Sequence, residues 1–273
     1  MWPRSPISVT AELLLDQPVH LYYIVFAITL TMYDVCLLIG TMLPVWKLIG
    51  FVLYVVLYYS ALDAYTVWPV ESLKSLFFKV MPVVHLVFVV ISTSMDEDIK
   101  VKSSRYRWSI ALGLMACGIG DCCQVFADYF FPGVAMFFIG LLLYIYAVGI
   151  RPVGSLPVAA TFAVAAVAYY FFLLDTLPVL MLKIIGVANL LLLITIAWRS
   201  TIVLLNERSY DSFLGCLGSI LLIVADVLFV VDKFHESFSR APFWIMLTYY
   251  GAQFGLALSA CNTHSQTSFK KND

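Results

Sequence analysis

Residues 114–126 read LMACGIGDCCQVF, with one aspartate, Asp121, set among small and apolar side chains. Residues 218–234, GSILLIVADVLFVVDKF, repeat the arrangement around Asp226. What such a carboxyl does depends on the solvent around its segment, and the rest of the chain identifies that solvent. The sequence is 62% hydrophobic and 12% charged over 273 residues, with a mean hydropathy of +0.95. Apolar runs at this density describe a polytopic membrane protein surrounded by lipid. A net charge of -1 without a basic stripe gives no footing for nucleic acid.

A crossing helix needs about 20 predominantly apolar residues. Such stretches lie near 44–62, 73–93, 108–127, 132–150, 155–174, 178–198, 213–231 and 242–260. They predict an all-α fold, a polytopic membrane helical bundle with eight core transmembrane helices. A further stretch at 19–40 carries Asp34 and is parted from the next only by GTMLP (40–44). It crosses as an extra N-terminal helix, lies in the interface, or extends the helix that follows. The connections are short, so the expected organisation is an N-terminal tail over 1–18, one membrane-embedded helical domain over 19–260 and a cytosolic C-terminal tail over 261–273. The opening MWPRSPISVTAELLLDQP lacks the basic start, apolar stretch and cleavage site of a signal peptide, so the first membrane helix is expected to direct insertion.

Lysine and arginine set the orientation. Lys100, Lys102, Arg105, Arg107, Arg151, Arg199, Arg208, Lys270 and Lys271 fall in segments 94–107, 151–157, 199–212 and the C-terminal tail. The alternate connections hold only Lys233 and Arg240. The first set is therefore expected in the cytoplasm, together with the C-terminus. The last five residues, FKKND, resemble the dilysine address that returns membrane proteins to the endoplasmic reticulum.

The topology places Asp121 and Asp226 on helices running the same way, each roughly 20 Å from its start at about 1.5 Å per residue. Lys79, Tyr249, Tyr250 and Gln253 fall near the same depth, and Tyr144 slightly nearer the cytoplasm. Ionisable groups facing lipid cost several kcal/mol, so these side chains should face the bundle interior. Gly113, Cys117 and Gly118 share the face of Asp121; that face either admits a close neighbouring helix or leaves room for a ligand. Blander readings exist for each. A lone aspartate can bond a neighbouring helix, Lys79 can reach towards the headgroups, and His85 suits a packing role. The six cysteines lie mostly in apolar segments without C-x-x-C spacing and are expected to be reduced. No His/Cys cluster suggests a metal, and no cofactor is expected.

At these residues the sequence resembles the lysoplasmalogenase family, the YhhN-like membrane hydrolases that include the transmembrane protein 86 type. The elements are FFKVMP (77–82), GIGD (118–121), YFFPGVAMFF (129–138) with Tyr144, VADVLFVVDKF (224–234) and SRAPFWIMLTYYGAQ (239–253), from about Val45 to Ser259. The chain departs from the family where Leu141 replaces a histidine, Ala225 a serine and Asn189 a tyrosine. The resemblance implies hydrolysis of the vinyl-ether bond of a lysoplasmalogen to a fatty aldehyde and glycerophosphocholine or glycerophosphoethanolamine. Asp121 and Asp226 would then be the catalytic acid–base pair, with Lys79, Tyr144, Tyr249, Tyr250 and Gln253 binding substrate. The implied partners are a lysophospholipid from the bilayer and water, with a homodimer left open. A non-catalytic lipid-binding or receptor-like relative and a proton-coupled transporter are the competing readings, since paired intramembrane carboxyls also serve proton coupling.

Overall fold

A computed structural model describes residues 45–94, 104–149 and 156–261. The expectations for the tail over 1–18, the stretch 19–40 and the dilysine end lie outside the described residues. Eight long helices follow in order: α1 (Val45–Leu62), α2 (Leu73–Ser94), α3 (Ser104–Gln124), α4 (Phe130–Val148), α5 (Leu156–Thr176), α6 (Leu180–Glu207), α7 (Tyr210–Val230) and α8 (Ala241–Cys261). A single 3-10 turn, Ala127–Tyr129, leads into α4, and a π-type turn, Val231–His235, ends α7. No strand occurs among the described residues. The architecture is the expected all-α membrane helical bundle.

Which helices are apolar enough to cross alone shows how the bundle is layered. Five segments qualify by length and hydropathy: Leu73–Thr93, Ala127–Val148, Pro157–Thr176, Leu180–Glu207 and Tyr210–His235. Helices α1, α3 and α8 do not, and α8 is the most enclosed. Helix α8 packs on α7, α2 and α3, and α3 on α4 and α2 as well. Burial by neighbours lets these two carry glycine, serine and polar groups that lipid would penalise. The outer faces carry exposed Phe88, Leu142, Val164, Phe171, Ile184 and Leu191, a surface matched to hydrocarbon.

Glycine sets the closest approaches. A Cβ on Gly218 of α7 would lie 2.8 Å from the Ala252 carbonyl oxygen, and one on Gly255 of α8 would lie 2.9 Å from that of Leu214. Both obstacles are backbone, so these helices meet at a distance that only small residues permit. On α3, a Cβ at Gly113 would strike the Tyr144 ring at 2.3 Å. The small face beside Asp121 thus admits α4 at Gly113, while Cys117 one turn on borders a cavity.

The largest boundary difference from the sequence reading is in α6. The span expected to end at 198 continues as helix to Glu207. Arg199 is fully buried, and its Nε donates to the Gly149 carbonyl oxygen just beyond α4, at 2.7 Å. A guanidinium with a carbonyl acceptor can sit inside a bundle, so the charge does not mark the helix end.

Candidate active site

The central cavity has a volume of about 190 Å³ and is bordered by both Asp121 and Asp226. Lys79, Tyr249 and Gln253 share its wall, as do Cys117 and Gln124. The remaining surface is largely aliphatic and aromatic, with Leu173, Leu193, Phe137 and Phe229 among the contributors. A mostly apolar chamber with a few convergent polar groups is the usual form of a small-molecule site.

The two carboxyls keep different company. Asp121, 2% exposed, lies 3.5 Å from the Lys79 ammonium, which is 12% exposed. Its other oxygen accepts a 2.6 Å hydrogen bond from the Tyr249 hydroxyl. Three helices therefore converge on it: α2 supplies the cation, α3 the carboxyl and α8 the phenol. Asp226, on α7, accepts only from neutral donors, the Tyr169 hydroxyl of α5 at 2.8 Å and the Asn189 amide of α6 at 2.7 Å. Among the described residues no cation lies within ion-pair distance of Asp226.

Two of the residues singled out in the sequence stand behind the wall. Tyr144 is fully buried, and its hydroxyl donates to Gln253 Oε1 at 2.6 Å. Tyr250 donates to the Lys79 carbonyl oxygen at 2.8 Å. Each tyrosine therefore fixes a residue that does reach the cavity. His85 lies apart, its ring packed against Tyr54 and over Gly50.

Sequence reading did not single out Tyr169, Gln124 or Trp68 for the site. Tyr169 and Tyr170 are adjacent on an apolar helix, and nothing local says which one turns inwards. Asn189 was noted only as a departure, yet it holds Asp226. The other departures, Leu141 and Ala225, also border the cavity.

A second cavity of about 300 Å³ adjoins the first and shares Trp68, Lys79, Gln124, Phe130, Phe229 and Phe234 with it. It lies towards the bundle end where the α1–α2 connection and the π-type turn meet. There the Trp68 indole N–H donates to Asp232 at 2.8 Å, and the Lys233 ammonium sits 4.5 Å from the Trp68 ring centre.

Residues 74–260 match the YhhN family. Over 155 residues the chain is 31% identical to lysoplasmalogenase TMEM86B of Rattus norvegicus, covering 57% of this chain and 62% of that protein. Identity is 30% to lysoplasmalogenase TMEM86A of Bos taurus, over 55% of this chain and 64% of the relative. It is 28% to lysoplasmalogenase TMEM86B of Homo sapiens, over 58% and 66% respectively. The matches thus span less than two thirds of the length of these relatives. No solved structure matches the chain.

Proposed function

Since the chain belongs to the YhhN family, we propose that it is a membrane-embedded hydrolase that cleaves the vinyl-ether bond of lysoplasmalogens. The observation that carries this reading is the pair of carboxyls on one cavity, one beside an ammonium and the other held only by neutral donors. The names of the relatives support the substrate class.

Vinyl-ether hydrolysis needs a proton delivered to the β-carbon and a base to take one from water. An ammonium at 3.5 Å stabilises the charged form of Asp121, so Asp121 serves as the carboxylate. Asp226 has no such counter-charge and serves as the acid. Carboxyls in unequal environments divide such roles.

Asp226 gives its proton to the β-carbon, and the π pair forms the new C–H bond. The α-carbon and ether oxygen then share the positive charge of an oxocarbenium ion, which the Asp121 carboxylate stabilises. Water adds to the α-carbon and loses a proton to Asp121, leaving a hemiacetal. The hemiacetal hydroxyl proton returns to Asp226 as the bond to the glycerol oxygen breaks, and Asp121 passes its proton to that oxygen. Aldehyde and glycerophospho-alcohol result, with both carboxyls restored. Tyr249 orients Asp121, while Tyr169 and Asn189 orient Asp226. The acyl chain enters from the bilayer between helices.

The test is to incubate the purified full chain with lysoplasmenylcholine, lysoplasmenylethanolamine and an ester-linked lysolipid. Free aldehyde is expected from the first two and no fatty acid from the third. Absence of aldehyde from both vinyl ethers would sink the proposal. We also place the C-terminal side of α8 in the cytosol, from the charge bias. A C-terminal epitope protected from protease in sealed microsomes would refute that.

A further inference from the structure

Lys79 and Lys233 both line the second cavity, and among the described residues no carboxylate borders it. Lys79 is shared with Asp121. Lys233 is exposed, and its ammonium lies 4.5 Å from the centre of the Trp68 ring. The neighbouring Asp232 does not reach this cavity. It is engaged by Trp68 on one oxygen and by the Ser237 hydroxyl on the other, at 2.8 and 2.7 Å. Gln124 adds a side-chain amide to both cavities. Tyr58 borders the second cavity and is fully buried, and its hydroxyl has no partner among the described residues.

Such a chamber suits an anion. Lys233 supplies a point charge, held over an indole face that limits its conformational freedom. Amide and phenol supply neutral donors at greater depth. The chamber also adjoins the catalytic cavity, with Lys79, Gln124 and Trp68 lining both. One molecule can therefore place an anionic group in the outer chamber and an apolar chain in the inner one.

We propose that the outer chamber is the phosphate subsite for the lysolipid, with Lys233 as its principal cation and Tyr58 and Gln124 as neutral donors. The subsite rests on the hydrolase reading for the identity of the lipid but not for its chemistry, which is that of a phosphodiester attached to an acyl-chain glycerol. It sets the register of the substrate. With the phosphate at Lys233, the glycerol lies along the residues that line both cavities and the sn-1 linkage falls between the two aspartates.

The test measures binding rather than turnover, using saturated alkyl ethers that the proposed chemistry cannot cleave. Binding of 1-O-hexadecyl-glycerophosphocholine and of 1-O-hexadecylglycerol to the full chain in detergent is followed by calorimetry. The phosphate-bearing ether should bind at least ~10-fold tighter, the expectation for a charge-assisted contact. Lys233→Gln should abolish that difference and leave the alkylglycerol unchanged, and Lys233→Arg should restore it. Lys233 is exposed, so neither variant threatens the fold. Equal binding of the two ethers to the parent, or a Lys233→Gln variant that keeps the preference, overturns the subsite. Inorganic phosphate binding as tightly as the alkyl phospholipid also overturns it, because the chamber would then read a free anion. Preference retained without aldehyde release from vinyl ethers would instead defeat the hydrolase reading and leave the subsite standing.

Discussion

Asp121 and Asp226 are the same residue at the wall of the same cavity, yet their surroundings have little in common. Asp121 is held by an ammonium and a phenol contributed from α2 and α8, inside the most enclosed part of the bundle. Asp226 is held by a phenol and an amide from α5 and α6, on the side where the outermost helix faces lipid. A carboxyl's task follows from the charge of its neighbours more than from its depth. One half of the cavity pairs its carboxyl with a cation, and the other surrounds its carboxyl with neutral donors.

The strongest way to break this comparison is to neutralise each carboxyl. Asp121→Asn and Asp226→Asn should each lower aldehyde release by at least ~100-fold, the lower end of general acid–base assistance. If either variant works at the parent's rate, that residue has no catalytic part.

Removing the cation comes next. Lys79→Met leaves a buried carboxylate without its partner, a loss on the order of 3 kcal/mol in stability, and should slow turnover by about 10-fold or more. Adding Asp121→Asn to the same chain should recover much of the melting temperature, because the stranded charge is gone. Losses that simply add would mean the two groups do not interact. Asp226→Asn, with no ion pair to break, should move the melting temperature much less than Lys79→Met.

The two phenols sharpen the comparison further. Tyr249→Phe removes a hydrogen bond to a charged acceptor and should cost ~10-fold in turnover, roughly 1.5 kcal/mol. Tyr169→Phe removes one to the uncharged side and should cost ~5-fold, about 1 kcal/mol. A reversed order in kcat would exchange the roles proposed for the aspartates.

The parts of this arrangement legible in the sequence were those set by a segment's own solvent. The eight helices announced themselves as apolar runs, and Lys79, Asp121 and Tyr249 were brought to one depth by counting along their helices. Depth alone could not tell wall from support. Tyr144 and Tyr250 shared that depth, but each turns its hydroxyl to another residue of the site, at Gln253 and at the Lys79 backbone. Tyr169 reaches Asp226 across 57 residues of chain, and Trp68 reaches Asp232 across 164. Such pairings depend on which helices become neighbours, which hydrophobic periodicity does not encode. Arg199 misled for a related reason, because its acceptor is a carbonyl 50 residues away.

The Tyr144–Gln253 pair carries a consequence for which molecules are tolerated inside. By occupying the side-chain oxygen of Gln253, the phenol leaves that residue only its nitrogen to offer, and the nitrogen has no acceptor among the described residues. A polar guest at Gln253 would meet the amide nitrogen rather than its oxygen, an orientation that Tyr144 sets from behind the wall.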